Sequence, residues 1–343
     1  MKALLSSTKK ILCIGAKNAY KDYIYPYCIN QKLLPFPYAI YDFEPRKHSS
    51  NINGIPILEI KELCKEDPYT SLIVIAEEDY PFYKALGSLY NELIAYYFPI
   101  LPCTALEAYF YALNHYDEIN EVSNLLYDSQ SKQLYIKYWL SRIYGIVYNP
   151  LLYSKKPYFG NDIITNLYDN DVIVSGGTYN GKHIDRALKM NSKITAYLFE
   201  PNKKYYQYLS ETYKSHDNIK VFNYALYNKE TQLPFDLSDE LGAQIVNEHS
   251  KYDYCIQTVR LDTMDIGKVS LIELDIEGSE IQALNGMRNT ILKYHPKLAI
   301  CVYHKISDYI EIPKLVLNYN SHYKLYFRQH SCYYEESVLY AIH

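Results

Sequence analysis

Three segments, spread over roughly a hundred residues, constrain this chain more than anything else in it. They are DVIVSGGTYNGKHI (Asp171 to Ile184), AYLFEP (Ala196 to Pro201) and LIELDIEGSE (Leu271 to Glu280). Each starts as an apolar run too short for a helix and ends in a turn of glycine or acidic residues, which is how strands buried on both faces of a parallel sheet read. In the first, Val172 to Val174 leads into Gly176, Gly177 and Gly181 and then into His183 to Lys189 at helical spacing. Strand, tight turn and helix in that order, repeated, specify a parallel α/β domain.

Such a domain places its ligands outside the carboxyl ends of the strands. Glycines at the first turn let a ligand approach the backbone, and the following helix offers its N-terminus to negative charge. Glu200 closes the second strand 19 residues after Gly181 and 23 after Gly177. A carboxylate at that distance is placed to accept hydrogen bonds from both hydroxyls of a ribose. Asp275 closes a later strand and adds a second carboxylate to the same rim.

With these residues in view, the stretch from about Ile173 to Ile342 resembles the FkbM family of S-adenosylmethionine-dependent methyltransferases. VSGGTYNG looks like the cofactor turn, LFEP the ribose strand and FNYAL (Phe222 to Leu226) the adenine-side strand. LDIEGSEIQALNG (Leu274 to Gly286) is similar to the family's most distinctive segment, HPKLAICVYHK and YKLYFRQHS to its last parallel strands, and SVLYAIH to an antiparallel edge. The resemblance implies a class I methyltransferase-like, seven-stranded doubly wound sheet and S-adenosylmethionine as cofactor. It assigns cofactor contacts to Ser175, Gly176, Gly177, Tyr179, Asn180, Gly181, Glu200, Pro201, Asn223, Ala225 and Asp275. Two positions depart from the pattern: Ser175 stands where an acidic residue is usual, and Glu273 where lysine is common.

A chain of 343 residues exceeds one average domain. KILCIGA, YAIYDFEP, SLIVIAEED and LIAYYFPIL set an α/β rhythm of their own, so residues 1–104 read as a smaller Rossmann-like α/β domain. Its first turn, Gly15 to Tyr20, keeps only one glycine of a dinucleotide fingerprint, with Asp42 lying 27 residues on. Residues 105–168 carry two helix-like runs and read as a helical linker, with Tyr158 and Phe159 just ahead of the third domain, 169–343, as packing residues or a lid. Net charge is −4, so no global field recruits nucleic acid or anionic membrane. The seven cysteines show no paired spacing, which suits reduced thiols in a cytoplasmic protein. No apolar stretch reaches the roughly 18 to 20 residues that span a bilayer. Tyr80-x-x-x-Lys84 matches a dehydrogenase pair, but with 42 tyrosines such pairs arise by chance.

Methyl transfer from a sulfonium is an in-line displacement, so the site must align nucleophile and methyl and, for a hydroxyl acceptor, supply a base. His304, at the end of the fifth strand, is the first candidate base, and His330 the second, with Asp275 facing the methionine end of the cofactor. Glu277 and Glu280, three apart on one helix face, and Arg328, a possible clamp for an acceptor carboxylate or phosphate, are the substrate candidates. Asp275 and Glu277 alone are two carboxylates without a third ligand, so no metal is assigned. The expected activity is O-methylation of a small-molecule or glycan acceptor, as in polysaccharide biosynthesis, by a possible homo-oligomer. Two alternatives stand beside it: a non-catalytic scaffold on the same fold, and an NAD(P)-linked sugar-nucleotide enzyme using the N-terminal domain.

Overall fold

The computed structural model describes residues 10–14, 38–42, 51–59, 62, 71–75, 108, 111–144, 154–237, 243–247, 250–331 and 335–343. Contacts divide the chain into two compact units, Met1–Asn120 with Ile136–Asn149, and Glu121–Tyr135 with Pro150–His343.

The first unit holds a five-stranded sheet in the order β3-β4-β2-β1-β5. Strands β1 (Lys10–Ile14), β2 (Ala39–Asp42), β4 (Ile55–Glu59) and β5 (Ser71–Ile75) run parallel. β3 (Asn51–Ile52) turns back antiparallel on β4 through Asn53 and Gly54, both at positive φ. Asn-Gly is the pair such a two-residue hairpin favours, because both central residues need that conformation. The expected strand in LIAYYFPIL and the Gly15–Tyr20 turn lie outside the described residues.

The second unit is built on a seven-stranded sheet in the order β8-β7-β6-β13-β14-β16-β15. β6 (Val172–Gly176), β7 (Thr195–Phe199), β8 (Ile219–Phe222), β13 (Leu271–Leu274) and β14 (Lys297–Cys301) are parallel neighbours. Helices α3 (Lys182–Met190), α4 (Lys203–Thr212), α5 (Glu280–Gly286), α6 (Arg288–Tyr294) and α7 (Asp308–Tyr319) fill the crossovers. This is the class I methyltransferase-like sheet, and its strands fall close to the segments anticipated for them. The direction of winding reverses between β6 and β13, so the crevice beyond their carboxyl ends is the natural ligand site. Ile173, Ile184, Ala187, Ala196, Leu198, Leu271 and Ala299 meet in one core beneath it.

One strand is placed differently from expectation. SVLYAI forms β16 (Ser337–Ile342), which is not the sheet edge: it pairs antiparallel with β14 on one side and with β15 (Lys324–Gln329) on the other. Its first five residues are all buried, and a strand apolar on both faces belongs inside a sheet. The edge is β15, and it is not bare. Leu126 bridges to Leu325, Tyr127 donates to the Leu325 carbonyl and Ser131 Oγ accepts from the Phe327 amide, capping open strand positions with the segment joining α1 (Tyr116–Leu125) and α2 (Ser129–Tyr144).

A second, four-stranded sheet, β11-β10-β12-β9, was not anticipated. FNYAL straddles the two sheets: Phe222 ends β8, while Ala225 and Leu226 form β9. β10 (Gln232–Asp236), β11 (Gln244–Ile245) and β12 (Tyr254–Val259) complete this sheet around a small core of Ala225, Phe235 and Ile256.

Candidate active site

The turn after β6 is fixed by a close backbone approach. Gly177 has φ of 75° and donates to the Phe199 carbonyl, and a Cβ on it would lie 1.8 Å from the Asp275 carbonyl oxygen. No residue but glycine fits there. Tyr179, also at positive φ, turns its amide toward β7, where Glu200 Oε2 accepts it at 2.8 Å. The other oxygen, Oε1, accepts the Asn202 amide at 2.8 Å. Burial raises the Glu200 carboxyl to about 7 against the pull of these two amides. A carboxylate has about four acceptor positions, so two remain for a ligand. Asn223 Nδ2 ties the Glu200 and Pro201 carbonyls to the end of β8, which holds the loop after β7 in place.

Beside this turn opens a cavity of about 560 Å³, a size usual for small-molecule sites. Gly177, Tyr179, Glu200, Pro201, Ala225 and Asp275 line it among the anticipated cofactor residues, and Glu277 among the substrate candidates. Tyr205 from α4, with Phe235, Ala243, Gln244 and Ile245 in and beside the unforeseen second sheet, forms an apolar and amide wall that the sequence reading missed.

Ser175 does not reach the cavity. It is wholly buried, in register with Glu273 on the neighbouring strand, and donates to Glu273 Oε2 at 2.6 Å. His183 Nε2, from α3, sits 3.3 Å from the same oxygen. The two departures from the family pattern are therefore one local exchange. At these two positions this chain sets a serine and a glutamate in contact, with a histidine beside them. Burial pushes the Glu273 carboxyl up, partly offset by His183 and Ser175. Gly176, packed against Leu274 and Leu226, and Gly181, the left-handed cap of α3 whose carbonyl takes the Tyr213 hydroxyl, shape the turn without lining the cavity. Asn180 likewise does not line it; its side chain accepts from the Lys182 amide.

The opposite wall is dense in charge. Asp275 accepts the Tyr158 hydroxyl at 2.6 Å and the Tyr303 hydroxyl at 3.1 Å. Burial would raise its carboxyl, but the adjacent His304 and the Tyr158 hydroxyl hold it at about 2. Tyr158 is thus a core residue that positions Asp275, not a lid. Glu277 sits at φ of 52° in the turn that follows, a conformation costly for a side-chain-bearing residue. Glu280, wholly buried, accepts both the Ile276 amide and the His304 Nδ1 proton, the latter at 2.9 Å. It is a positioning residue and does not face the cavity.

His304 is not arranged as a base. It does not line the cavity, and its Nδ1 is committed to the buried Glu280 carboxylate at 2.9 Å; burial works against its charge, while Glu280 and Asp275 raise its basicity well above the usual histidine range. The second candidate base is also corrected: His330 is held between the Ser154 carbonyl (2.6 Å) and the Tyr340 hydroxyl (2.8 Å), and burial lowers it to about 4. Arg328 is no substrate clamp. Its guanidinium is buried against Asp128 (2.8 Å), Asp162 (2.7 Å) and Ser131 (2.8 Å), where it ties β15 to flanking segments. Glu336 is the titratable group the sequence did not single out. It lines the cavity, and burial, aided by the nearby Asp275 charge, raises it to about 7. Two glutamates before a strand give no sign of this in sequence.

Residues 176–331 match the family model described as Methyltransferase FkbM domain. No curated protein sequence matches the chain. Among solved structures, methyltransferase FkbM from Methylobacillus flagellatus KT aligns at a TM-score of 0.61 and 18% identity, covering 99% of this chain and 92% of that one. Aeropyrum pernix fibrillarin, solved with natively bound S-adenosyl-L-methionine, aligns at 0.35 and 10% identity over 53% of this chain and 70% of its own. An rRNA methylase from Streptococcus thermophilus gives 0.34 and 13%, over 52% and 88%.

Proposed function

We propose that this chain, whose residues 176–331 carry the FkbM methyltransferase domain, is an S-adenosylmethionine-dependent O-methyltransferase. The observation that carries this reading is the Glu200 carboxylate, fixed by the Tyr179 and Asn202 amides at the mouth of a cavity of about 560 Å³. Its two remaining acceptor positions suit a ribose diol. Tyr205, Phe235 and Ile245 suit the adenine face, and Gly177 lets the cofactor pass close to the backbone. At the far end Asp275, ionised under ordinary conditions, offers the countercharge to the cofactor's ammonium group that buried Ser175 does not.

The sulfonium supplies an activated methyl, and the protein's part is alignment and proton removal. Glu336, raised to about 7, is the cavity-lining group whose proton affinity matches that of a general base at neutral pH. The acceptor is a hydroxyl compound of the sugar or small-glycan class, bound over Asp275, Glu277 and Glu336. Titration of labelled cofactor tests the cofactor half: Glu200→Ala weakens binding ten- to a hundredfold, the loss expected for hydrogen bonds to a charged acceptor. Glu336→Gln leaves that affinity in place and lowers turnover about a hundredfold or more. Absence of cofactor binding to the intact protein refutes the reading.

A further inference from the structure

We propose that Asp275, Glu277 and His304 form a divalent transition-metal site at the rim of the cavity. Each of the three offers one donor atom, all lying within 4.8 Å of one another. His304 Nε2 stands 3.3 Å from Asp275 Oδ1 and 3.3 Å from Glu277 Oε2. A cation held about 2.1 Å from each donor, at angles near 100°, separates neighbouring donors by about 3.0 to 3.4 Å. Both separations from His304 Nε2 fall in that range, and the two carboxylate oxygens lie within 4.8 Å of each other.

The nitrogen itself supplies an independent sign. The His304 side chain is only 7% exposed, and its Nε2 makes no hydrogen bond to any described residue although it points between two carboxylates. The other ring nitrogen is fixed by the buried Glu280 carboxylate at 2.9 Å. A cation bound there takes the place of the Nε2 proton, and a histidine oriented by a carboxylate on one nitrogen while it ligates through the other is the usual arrangement of metal-binding histidines. Asp275 is held in the same way by Tyr158 and Tyr303. The sequence lacked the third ligand because His304 lies 27 residues beyond Glu277 and reaches it only when β13 and β14 pair.

Two carboxylates with one imidazole suit Mn²⁺ or Zn²⁺ better than Mg²⁺, which rarely takes nitrogen. Asp275 and Glu277 line the cavity, so the open positions of the cation face it. If the methyl-transfer reading holds, an acceptor oxygen occupies one of them and its hydroxyl proton is easier to remove; the binding of the metal does not depend on that reading.

The test is binding of Mn²⁺ to the full chain, followed by the loss of the free-ion paramagnetic resonance signal, with cofactor binding measured separately on the same samples. One ion per chain is expected, with affinity at least tenfold weaker in Glu277→Gln and in His304→Ala. Glu277 is partly exposed, so its variant keeps the fold, which circular dichroism verifies. No saturable Mn²⁺ or Zn²⁺ binding up to millimolar concentration overturns the proposal, as does binding that both variants retain. Metal binding without cofactor binding upholds this site and refutes the methyltransferase reading instead.

Discussion

The two walls of the cavity are made by opposite means. On the β6–β7 side the site is a shape: Gly177, Tyr179 and the loop at Pro201 place backbone and a single carboxylate with little room to move. On the β13–β14 side it is a charge cluster: Asp275, Glu277, Glu335 and Glu336 line the cavity, with His304 and Glu280 packed behind. A shape fails when an atom is added, whereas a charge cluster fails when a proton or a counterion changes. The first wall suits a ligand that is the same in every turnover, and the second suits a reacting group whose charge shifts.

Gly177→Ala breaks the first wall most severely. The added methyl falls 1.8 Å from the Asp275 carbonyl, at a φ of 75° that alanine disfavours. β6 and β13 must separate locally, so cofactor binding is lost outright and thermal stability falls by several degrees, read by calorimetry with and without cofactor.

A smaller effect reads the burial of the first wall's carboxyl by pH. In the fold Glu200 keeps its proton up to about 7, while an unfolded glutamate releases it near 4.5. Its contribution to stability is whole below pH 4.5 and drains away as pH rises through 7, by roughly 3 kcal/mol in all. Glu200→Gln removes that slope, so wild-type and variant denaturation midpoints diverge across this window. Parallel profiles would show that the carboxyl is not buried as described.

Ser175→Ala is expected to do least. Losing the 2.6 Å bond to Glu273 costs about 1 to 2 kcal/mol, and cofactor affinity stays within about twofold of the wild type because Ser175 lies beneath the cavity. A tenfold loss of affinity would place Ser175 in the first wall after all.

The same division explains what sequence reading reached. The shape wall was legible, because glycines at a strand end and a carboxylate about 20 residues on are local spacings with one geometric meaning. Gly177, Tyr179, Glu200, Pro201 and Ala225 were all foreseen and all line the cavity. The charge wall was not legible in its roles. His304 and Glu280 are 24 residues apart, and only the β13–β14 pairing turns a candidate base and a candidate substrate contact into a buried hydrogen-bonded pair. Arg328 and His330 misled for the mirror reason: a rim position fixes where a residue's backbone stands, not which way its side chain packs. The second sheet escaped because β9 and β11 are two residues each, too short to show a period.

The interior placement of β16 also sets an order of assembly. β15 precedes β16 in the chain yet lies outside it, so β14 keeps an open edge until residues 337–342 arrive and fill the gap. Until the β15–β16 hairpin docks, one edge of β14 is open, and an intermediate that lacks the hairpin presents an unpaired strand edge to its neighbours.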